Sequence, residues 1–139
     1  MSDSSKPTFG LMFVRVALGG TITMHGLSHV FGILGGPGLA SFAANLAKNH
    51  PELPAWSGHA LAVTELAAGA LLVLGLFPRL ATLAALLVLG AFVWLGKHHR
   101  TFFDDQGGIE IYLLQAAMAL CVFTCGPGRF ALGGRKSEE

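Results

Sequence analysis

The sequence predicts an all-α integral membrane protein whose spanning helices form a single four-helix bundle. Of its 139 residues, 53% are hydrophobic and 12% are charged, whereas a typical soluble domain carries about 25% charged residues. Four apolar runs also have roughly the 17–25 residues that a helix needs to cross about 30 Å of hydrocarbon. We therefore expect one domain over residues 1–139, with spans at about residues 9–31, 57–77, 80–96 and 109–125.

Each run is expected to be a helix despite its valines and phenylalanines, because lipid offers no hydrogen-bond partner to an unpaired backbone group. The first run has the position of a secretory signal. We interpret it as a retained span, since Arg15 interrupts it and no small-x-small cleavage site follows it. Small residues, as in ELAAGALLVLG at residues 65–75, allow membrane helices to pack closely.

The connections between the runs differ in character. Between the first and second spans, Leu39, Phe42, Ala43 and Leu46 recur at helical spacing with polar residues between them. This pattern predicts a short amphipathic helix at the membrane interface. The second connection is a tight hairpin around Pro78, and the third is the polar stretch KHHRTFFDDQGG.

The distribution of basic residues predicts the orientation in the membrane. Five lysines and arginines fall on the side that holds both chain ends and the hairpin, and three fall on the other side. By the positive-inside rule both ends are cytoplasmic, in a multi-pass protein that we place in the cell's inner membrane. The formal net charge is only +1 and the basic residues are scattered, so no nucleic-acid partner is expected.

This orientation collects the histidines on the outer side of the membrane. The acidic residues Asp104, Asp105 and Glu110 accompany them there. Groups of these types titrate, bind metals or accept hydrogen bonds, so the outer half of the bundle is the richer in chemistry. The histidines are His25, His29, His50, His59, His98 and His99.

Two charged residues lie inside the predicted spans, Arg15 in the first and Glu65 in the second. A lone charge at such depth costs about 2.5–3.5 kcal/mol on insertion scales, which favours pairing or a place beside a cavity. Counted inward from the span ends, their levels differ by about 9 Å, so we expect them to pair. The pair could be a structural link between helices or part of a ligand site.

Metal or haem binding is a weaker prediction. His25 and His29 share a helix face and could ligate, and the adjacent His98 and His99 are candidates of the same kind. The alternative is that these histidines form hydrogen bonds with loops or water, which is the commoner role at an interface. No carboxylate or cysteine at ligand spacing adjoins them in the sequence.

Four stretches give the chain a family resemblance: RVALGGTITMHGLSH from Arg15, GGPGLASF after the first span, TELAAGALLVLGLFPRLATLAALLVL around Glu65, and GGIEIYLLQAAMALCVFTCGPGRFALG near the end. With arginine, glycines, glutamate and Gly-Pro-Gly in this order, the chain resembles the DoxX family of small four-helix membrane proteins. The resemblance implies a membrane redox system, since that family includes small subunits of a quinol oxidase or a thiosulfate:quinone oxidoreductase.

The functional prediction rests on this resemblance and on the catalytic and cofactor-binding motifs that the sequence lacks. The sequence lacks Walker and Rossmann glycine signatures, a nucleophile elbow and Cys-x-x-Cys pairs, so any chemistry lies in the bundle or in a partner. We expect a small subunit of a quinone-linked redox system that packs with a catalytic partner. Quinone ranks ahead of haem or metal as its ligand. The site candidates are Arg15, His25, His29, Glu65 and Glu110.

Two alternatives remain from the sequence. One is a self-contained quinone- or metal-binding membrane oxidoreductase, and the other is a structural or transport protein without a redox role. The partners predicted in every case are the lipid bilayer and either other membrane subunits or further copies of this chain.

Overall fold

The computed structural model describes residues 9–96, 102–103 and 108–133 of the chain. Five α-helices account for most of these residues, and no strand occurs among them. The described fold is all-helical, as the sequence predicts. The helices are α1 (Phe9–Phe31), α2 (Gly38–Asn49), α3 (Ser57–Leu74), α4 (Pro78–Leu95) and α5 (Glu110–Cys125).

Among the described helices, α1, α3 and α4 are long enough and apolar enough to cross a membrane. The fifth helix, α5, is also apolar but has only 16 residues. The second predicted run leaves helical structure at Leu74, because Gly75 adopts the left-handed conformation (φ 68°) that commonly ends a helix. The next helix begins at Pro78, since proline suits a first helical turn.

Helix α2 occupies the connection between α1 and α3, where the sequence predicts a short helix. It packs against both of these helices, and Ala43 is its buried contact residue. A Cβ atom built on Gly58 of α3 would lie 2.6 Å from Ala43 Cα, so the absence of a side chain there lets α2 rest directly on the first turn of α3.

The other four helices pack in a ring, with α1 against α3, α3 against α4, α4 against α5 and α5 against α1. Small core residues let the helices approach closely. On the outside, large apolar side chains such as Phe13 and Leu87 are 66% and 75% exposed, which suits a wall that faces lipid. The core residues are Leu18, Ile22, Ala68, Leu72, Ala81, Ala85, Ala119 and Val122.

Helices α1 and α3 make the most extensive contact and run antiparallel. A Cβ atom on Gly26 would lie 2.6 Å from Leu66 Cα, and one on Gly69 would lie 2.5 Å from Thr23 N. Backbone approach of this kind requires glycine on one of the two helices. These contacts define the register of the pair, in which Glu65 is level with residue 27 of α1.

Residues 126–133 follow α5 and cross the end of the bundle where α1 begins and α3 ends; we call them the C-terminal strap. The Leu132 N–H donates to Leu74 O at 3.2 Å, and the Gly133 N–H donates to Gly75 O at 2.9 Å. The strap therefore satisfies carbonyl groups that the end of a helix leaves unpaired. We call this end the arginine end after Arg15, Arg79 and Arg129.

Candidate functional site

The opposite end of the bundle contains a pair formed by a part-buried histidine and a buried glutamate. His29 projects from α1 and Glu65 from α3, with 2.6 Å between His29 Nδ1 and Glu65 Oε2. Glu65 is only 5% exposed. The register of the two helices brings the pair together, because Glu65 lies opposite the last two turns of α1. We call this end the histidine end after His25, His29, His50 and His59.

Aromatic residues hold the His29 ring in place. Phe42 of α2 stacks on the ring with centroids 4.3 Å apart, and Phe92 of α4 lies 5.6 Å away. In the described part of the chain, Nδ1 is bonded to Glu65 and Nε2 has no hydrogen-bond partner. A neutral imidazole that donates through Nδ1 presents Nε2 as a proton acceptor, so the pair can act as an oriented base.

The pair borders a space of about 350 Å³ between α1, α3, α4 and α5, which we call the bundle cavity. Gln115 of α5 also lines it, is 3% exposed, and carries an Nε2 without a hydrogen-bond partner among the described residues. Leaving a buried donor unsatisfied costs about 1–3 kcal/mol, so this amide favours any acceptor that reaches it. The lining residues are Ile22, His25, His29, Glu65, Val88, Leu89, Phe92, Ile111, Tyr112 and Gln115.

The predicted pairing of Arg15 with Glu65 is wrong. Because α3 begins beyond the end of α1, Glu65 lies level with residue 27, which is about 12 residues and about 18 Å along α1 from Arg15. The prediction counted depths from the ends of two spans taken as level with each other. The real register is offset, so Arg15 lies at the arginine end and takes no part in the bundle cavity.

The C-terminal strap binds Arg15 instead. Arg15 Nη1 donates to the carbonyl oxygens of Pro127 at 2.6 Å and Arg129 at 3.2 Å, and Nη2 donates to that of Phe130 at 3.4 Å. Arg15 is 2% exposed, so backbone carbonyl dipoles replace the water that its charge would otherwise need. Within the described structure Arg15 therefore anchors the strap to α1.

Replacing Arg15 with methionine is expected to release the strap. Methionine occupies similar space but makes none of the three hydrogen bonds, which we expect to cost about 1–3 kcal/mol. In detergent solution, trypsin should cleave after Arg129 faster in Arg15→Met than in the unaltered protein. Arg79→Met changes an exposed arginine at the same end and serves as the control. Equal cleavage rates in all three proteins would contradict the anchoring role.

The remaining predicted site residues lie at the histidine end. His25 lines the bundle cavity one turn before His29, with ring centroids 6.4 Å apart, and it is exposed. Glu110 lies in the first turn of α5 and is half-buried, but it is not among the cavity-lining residues. The structure thus brings His25, His29 and Glu65 together and leaves Glu110 apart from them.

The metal candidates fall into two groups. Among the described residues, no cluster of three or more His, Cys, Asp or Glu side chains is placed to hold a metal ion. His25 and His29 instead border the cavity together. His98 and His99 lie outside the described residues, so metal binding there stays a prediction from the sequence.

His50 links α2 to the end of α4 at the same end of the bundle. Its Nδ1 lies 3.0 Å from Glu52 Oε1, its Nε2 lies 3.0 Å from Leu95 O, and its ring stacks on Trp94. The pKa of the Glu52 carboxyl is lowered, first by a hydrogen bond from its own backbone and then by the one with His50. These contacts hold α2 over the side of the bundle that carries His29.

Sequence reasoning missed Gln115, although its signal was present as a lone amide inside an otherwise apolar run. An uncharged polar side chain in such a run has to find a partner or face a cavity. It also missed Phe92 and Tyr112, which line the cavity. Aromatic residues occur all along this chain, so no pattern in the sequence marks these two.

In the described residues, the fold and this site define a small all-helical protein with a mainly apolar cavity that carries a few polar side chains between apolar helices. Its sequence matches the model of the DoxX family over residues 10–98, which is more than half of the chain. The chain belongs to the DoxX family, and the family together with the apolar helices supports a membrane location. Helix α5 and the C-terminal strap lie outside the matched residues. No curated protein and no solved structure matches the chain.

Proposed function

We propose that this protein is a small subunit of a membrane redox system that binds a quinone or quinol in the bundle cavity and packs against a catalytic partner. One observation carries the proposal: a hydrogen-bonded histidine–glutamate pair and an amide whose donor lacks a partner border the same space within the described bundle. Family membership supports the membrane setting.

The proposed topology has four spans, α1, α3, α4 and α5, with α2 at the interface. At 1.5 Å per residue α5 is about 24 Å long, which is short for about 30 Å of hydrocarbon but workable if the bilayer thins locally or flanking residues extend the crossing. We infer from the positive-inside rule that the arginine end is cytoplasmic and the membrane an inner membrane, because Arg79 and Arg129 lie at that end. The bundle cavity then lies in the outer half of the membrane.

A quinone head group fits the cavity by size and by chemistry. Small-molecule sites are mostly apolar clefts of about 300–1,000 Å³ with a few placed polar groups, and this cavity has about 350 Å³. A quinone oxygen is an acceptor for Gln115 Nε2, which otherwise lacks a partner in the described structure. Val88, Leu89 and Phe92 offer apolar contact for the ring.

The histidine–glutamate pair suits the proton side of quinol oxidation, which releases protons and electrons in equal number. His29 Nε2 accepts a proton from a quinol hydroxyl, and the Glu65 carboxylate stabilises the imidazolium through the Nδ1–H bond. His25, which is exposed and adjacent, offers the proton a route to the histidine end. The electrons go to a redox cofactor in the catalytic partner, because this sequence has no Rossmann glycine signature and no Cys-x-x-Cys pair.

Copurification from native membranes in mild detergent, followed by mass spectrometry, tests the partner half of the proposal. Oxidoreductase subunits that accompany the protein in stoichiometric amounts would support it. Recovery of the protein alone, with a haem spectrum or bound metal of its own, would favour a self-contained oxidoreductase. Recovery alone, with neither a cofactor nor quinone affinity, would overturn both redox interpretations.

Gln115→Met tests whether the bundle cavity binds a quinone, because the substitution should raise the thermal stability of the protein and lower its affinity for the ligand. Methionine has a similar shape and carries no unsatisfied donor, so the variant should unfold at higher temperature, with a gain of about 1–3 kcal/mol. Its affinity for a benzoquinone should fall by about tenfold. Both are measured on the full chain in the same detergent, by thermal unfolding and by isothermal titration.

His59→Phe is the control, because His59 is exposed at the same end of the bundle and does not line the cavity. It should leave the benzoquinone affinity unchanged. A Gln115→Met protein that binds benzoquinone as tightly as the unaltered protein would show that the amide is not a ligand contact.

A further inference from the structure

We propose that the ligand of the bundle cavity is a lipid-tailed quinone whose apolar tail lies in a groove between α4 and α5 that opens sideways to the membrane. This inference rests on the proposed function and adds the route by which the ligand reaches the cavity. The groove has a volume of about 200 Å³. Its lining residues are Leu86, Leu89, Gly90, Val93, Ile109, Tyr112, Leu113 and Ala116.

The groove adjoins the bundle cavity. Leu89 of α4 and Tyr112 of α5 line both spaces, so these two side chains stand between the polar head site and the outer groove. A ligand that placed its ring beside Gln115 and passed these side chains would direct any substituent into the groove. Apart from Tyr112, the groove is lined by glycine and apolar side chains, which suits a hydrocarbon tail and not a polar group.

Gly90 keeps the groove open. It is exposed, and a Cβ atom built on it would meet no atom within 4 Å. Most glycines inside the helix contacts of this bundle, such as Gly26, have backbone of another helix against them, so packing explains their lack of a side chain. Packing against described residues does not explain Gly90. Beside it, Leu113 is 52% exposed, so the groove faces the surroundings of the bundle.

A second space near the cavity is less suited to a tail. Its lining includes Asn45, Asn49 and His50 beside the other lining residues Phe42, Leu46, Phe92, Leu95, Gly96 and Tyr112. Two amides and an imidazole at the histidine end suit contact with water or lipid head groups. The groove beside Gly90 lies about 8 Å inside the end of α4, at a depth where a membrane holds hydrocarbon.

Gly90→Leu closes the groove in the test of this inference. Leucine is a better helix former than glycine and meets open space at this position, so the variant should fold normally. Two probes are titrated into the purified full chain: a benzoquinone with a decyl tail, and the same ring with a methyl group in place of the tail. Gly20→Leu is the matched control, because a Cβ atom at Gly20 of α1 also meets nothing within 4 Å.

The expected result is a loss of about tenfold or more in affinity for the decyl probe in Gly90→Leu, with the affinity for the methyl probe unchanged. Gly20→Leu should bind both probes as the unaltered protein does. Unchanged binding of the decyl probe by Gly90→Leu would overturn the tail site and leave the head site standing. Equal losses for both probes would also overturn it, since the substitution would then act on the cavity. Failure of both probes to bind the unaltered protein would refute the proposed function itself.

Discussion

Gly26→Leu is expected to prevent normal assembly of the helix bundle. A Cβ atom at this position would lie 2.6 Å from Leu66 Cα and 2.7 Å from Leu66 N, so the new side chain would meet backbone that cannot turn aside. Ordinary overpacking costs about 1–3 kcal/mol, and a whole leucine against a helix backbone should exceed that range. Size-exclusion profiles and unfolding in detergent measure the effect.

Gly20→Leu is the control on the same helix. Open space surrounds the Cβ position at Gly20, and leucine improves the helix propensity by roughly 0.6–0.8 kcal/mol relative to glycine. This variant should assemble normally and unfold no more easily than the unaltered protein. If Gly26→Leu and Gly20→Leu behaved alike, the close contact of α1 with α3 would be disproved.

The contrast between Gly26 and Gly20 shows which part of the fold can be predicted from the sequence: the position of each helix, but not the face with which it packs. Three features of the sequence are local: apolar runs of spanning length, a proline at the hairpin, and apolar residues at helical spacing in the first connection. The helices occur where these features lie. Gly19 and Gly20 are neighbours in the sequence, yet Gly19 contacts α3 backbone and Gly20 faces open space. Which glycine faces the neighbouring helix depends on the rotation and register of the two helices. Neither follows from the periodicity of apolar residues along the sequence.

The wrong prediction that Arg15 pairs with Glu65 has the same origin. His25, His29 and Glu65 were identified as candidates because charged and titratable residues in apolar runs require partners, and the structure brings them together. The partner of Glu65 was misassigned because the helix offset moves it about 18 Å away from Arg15. The partners of Arg15 are backbone carbonyls of the C-terminal strap, and every residue type supplies such groups, so no sequence pattern identifies them.

His29→Phe is expected to destabilise the bundle far more than Glu65→Gln does. Phenylalanine leaves the buried Glu65 carboxylate without its hydrogen-bond donor, and a buried charge left uncompensated in this way typically costs about 3–5 kcal/mol. Glutamine in place of Glu65 still offers an oxygen that accepts the Nδ1–H bond, so the loss should stay near 1 kcal/mol. Thermal unfolding of the two variants in the same detergent gives the comparison.

The double variant His29→Phe with Glu65→Leu completes the test. Removing both polar groups leaves no buried charge, so much of the stability lost in His29→Phe should return, and the coupling between the two positions should be at least about 1 kcal/mol. His25→Phe, one turn earlier on α1 at an exposed position, should change stability by no more than about 0.5 kcal/mol.

The same variants separate structure from function at this pair. Glu65→Gln keeps the fold but cannot stabilise an imidazolium at His29, so quinol oxidation by the assembled complex should slow by at least about tenfold. The apolar double variant should be stable and inactive. Full activity in that double variant would mean that the pair only fastens α1 to α3 and that proton transfer occurs elsewhere.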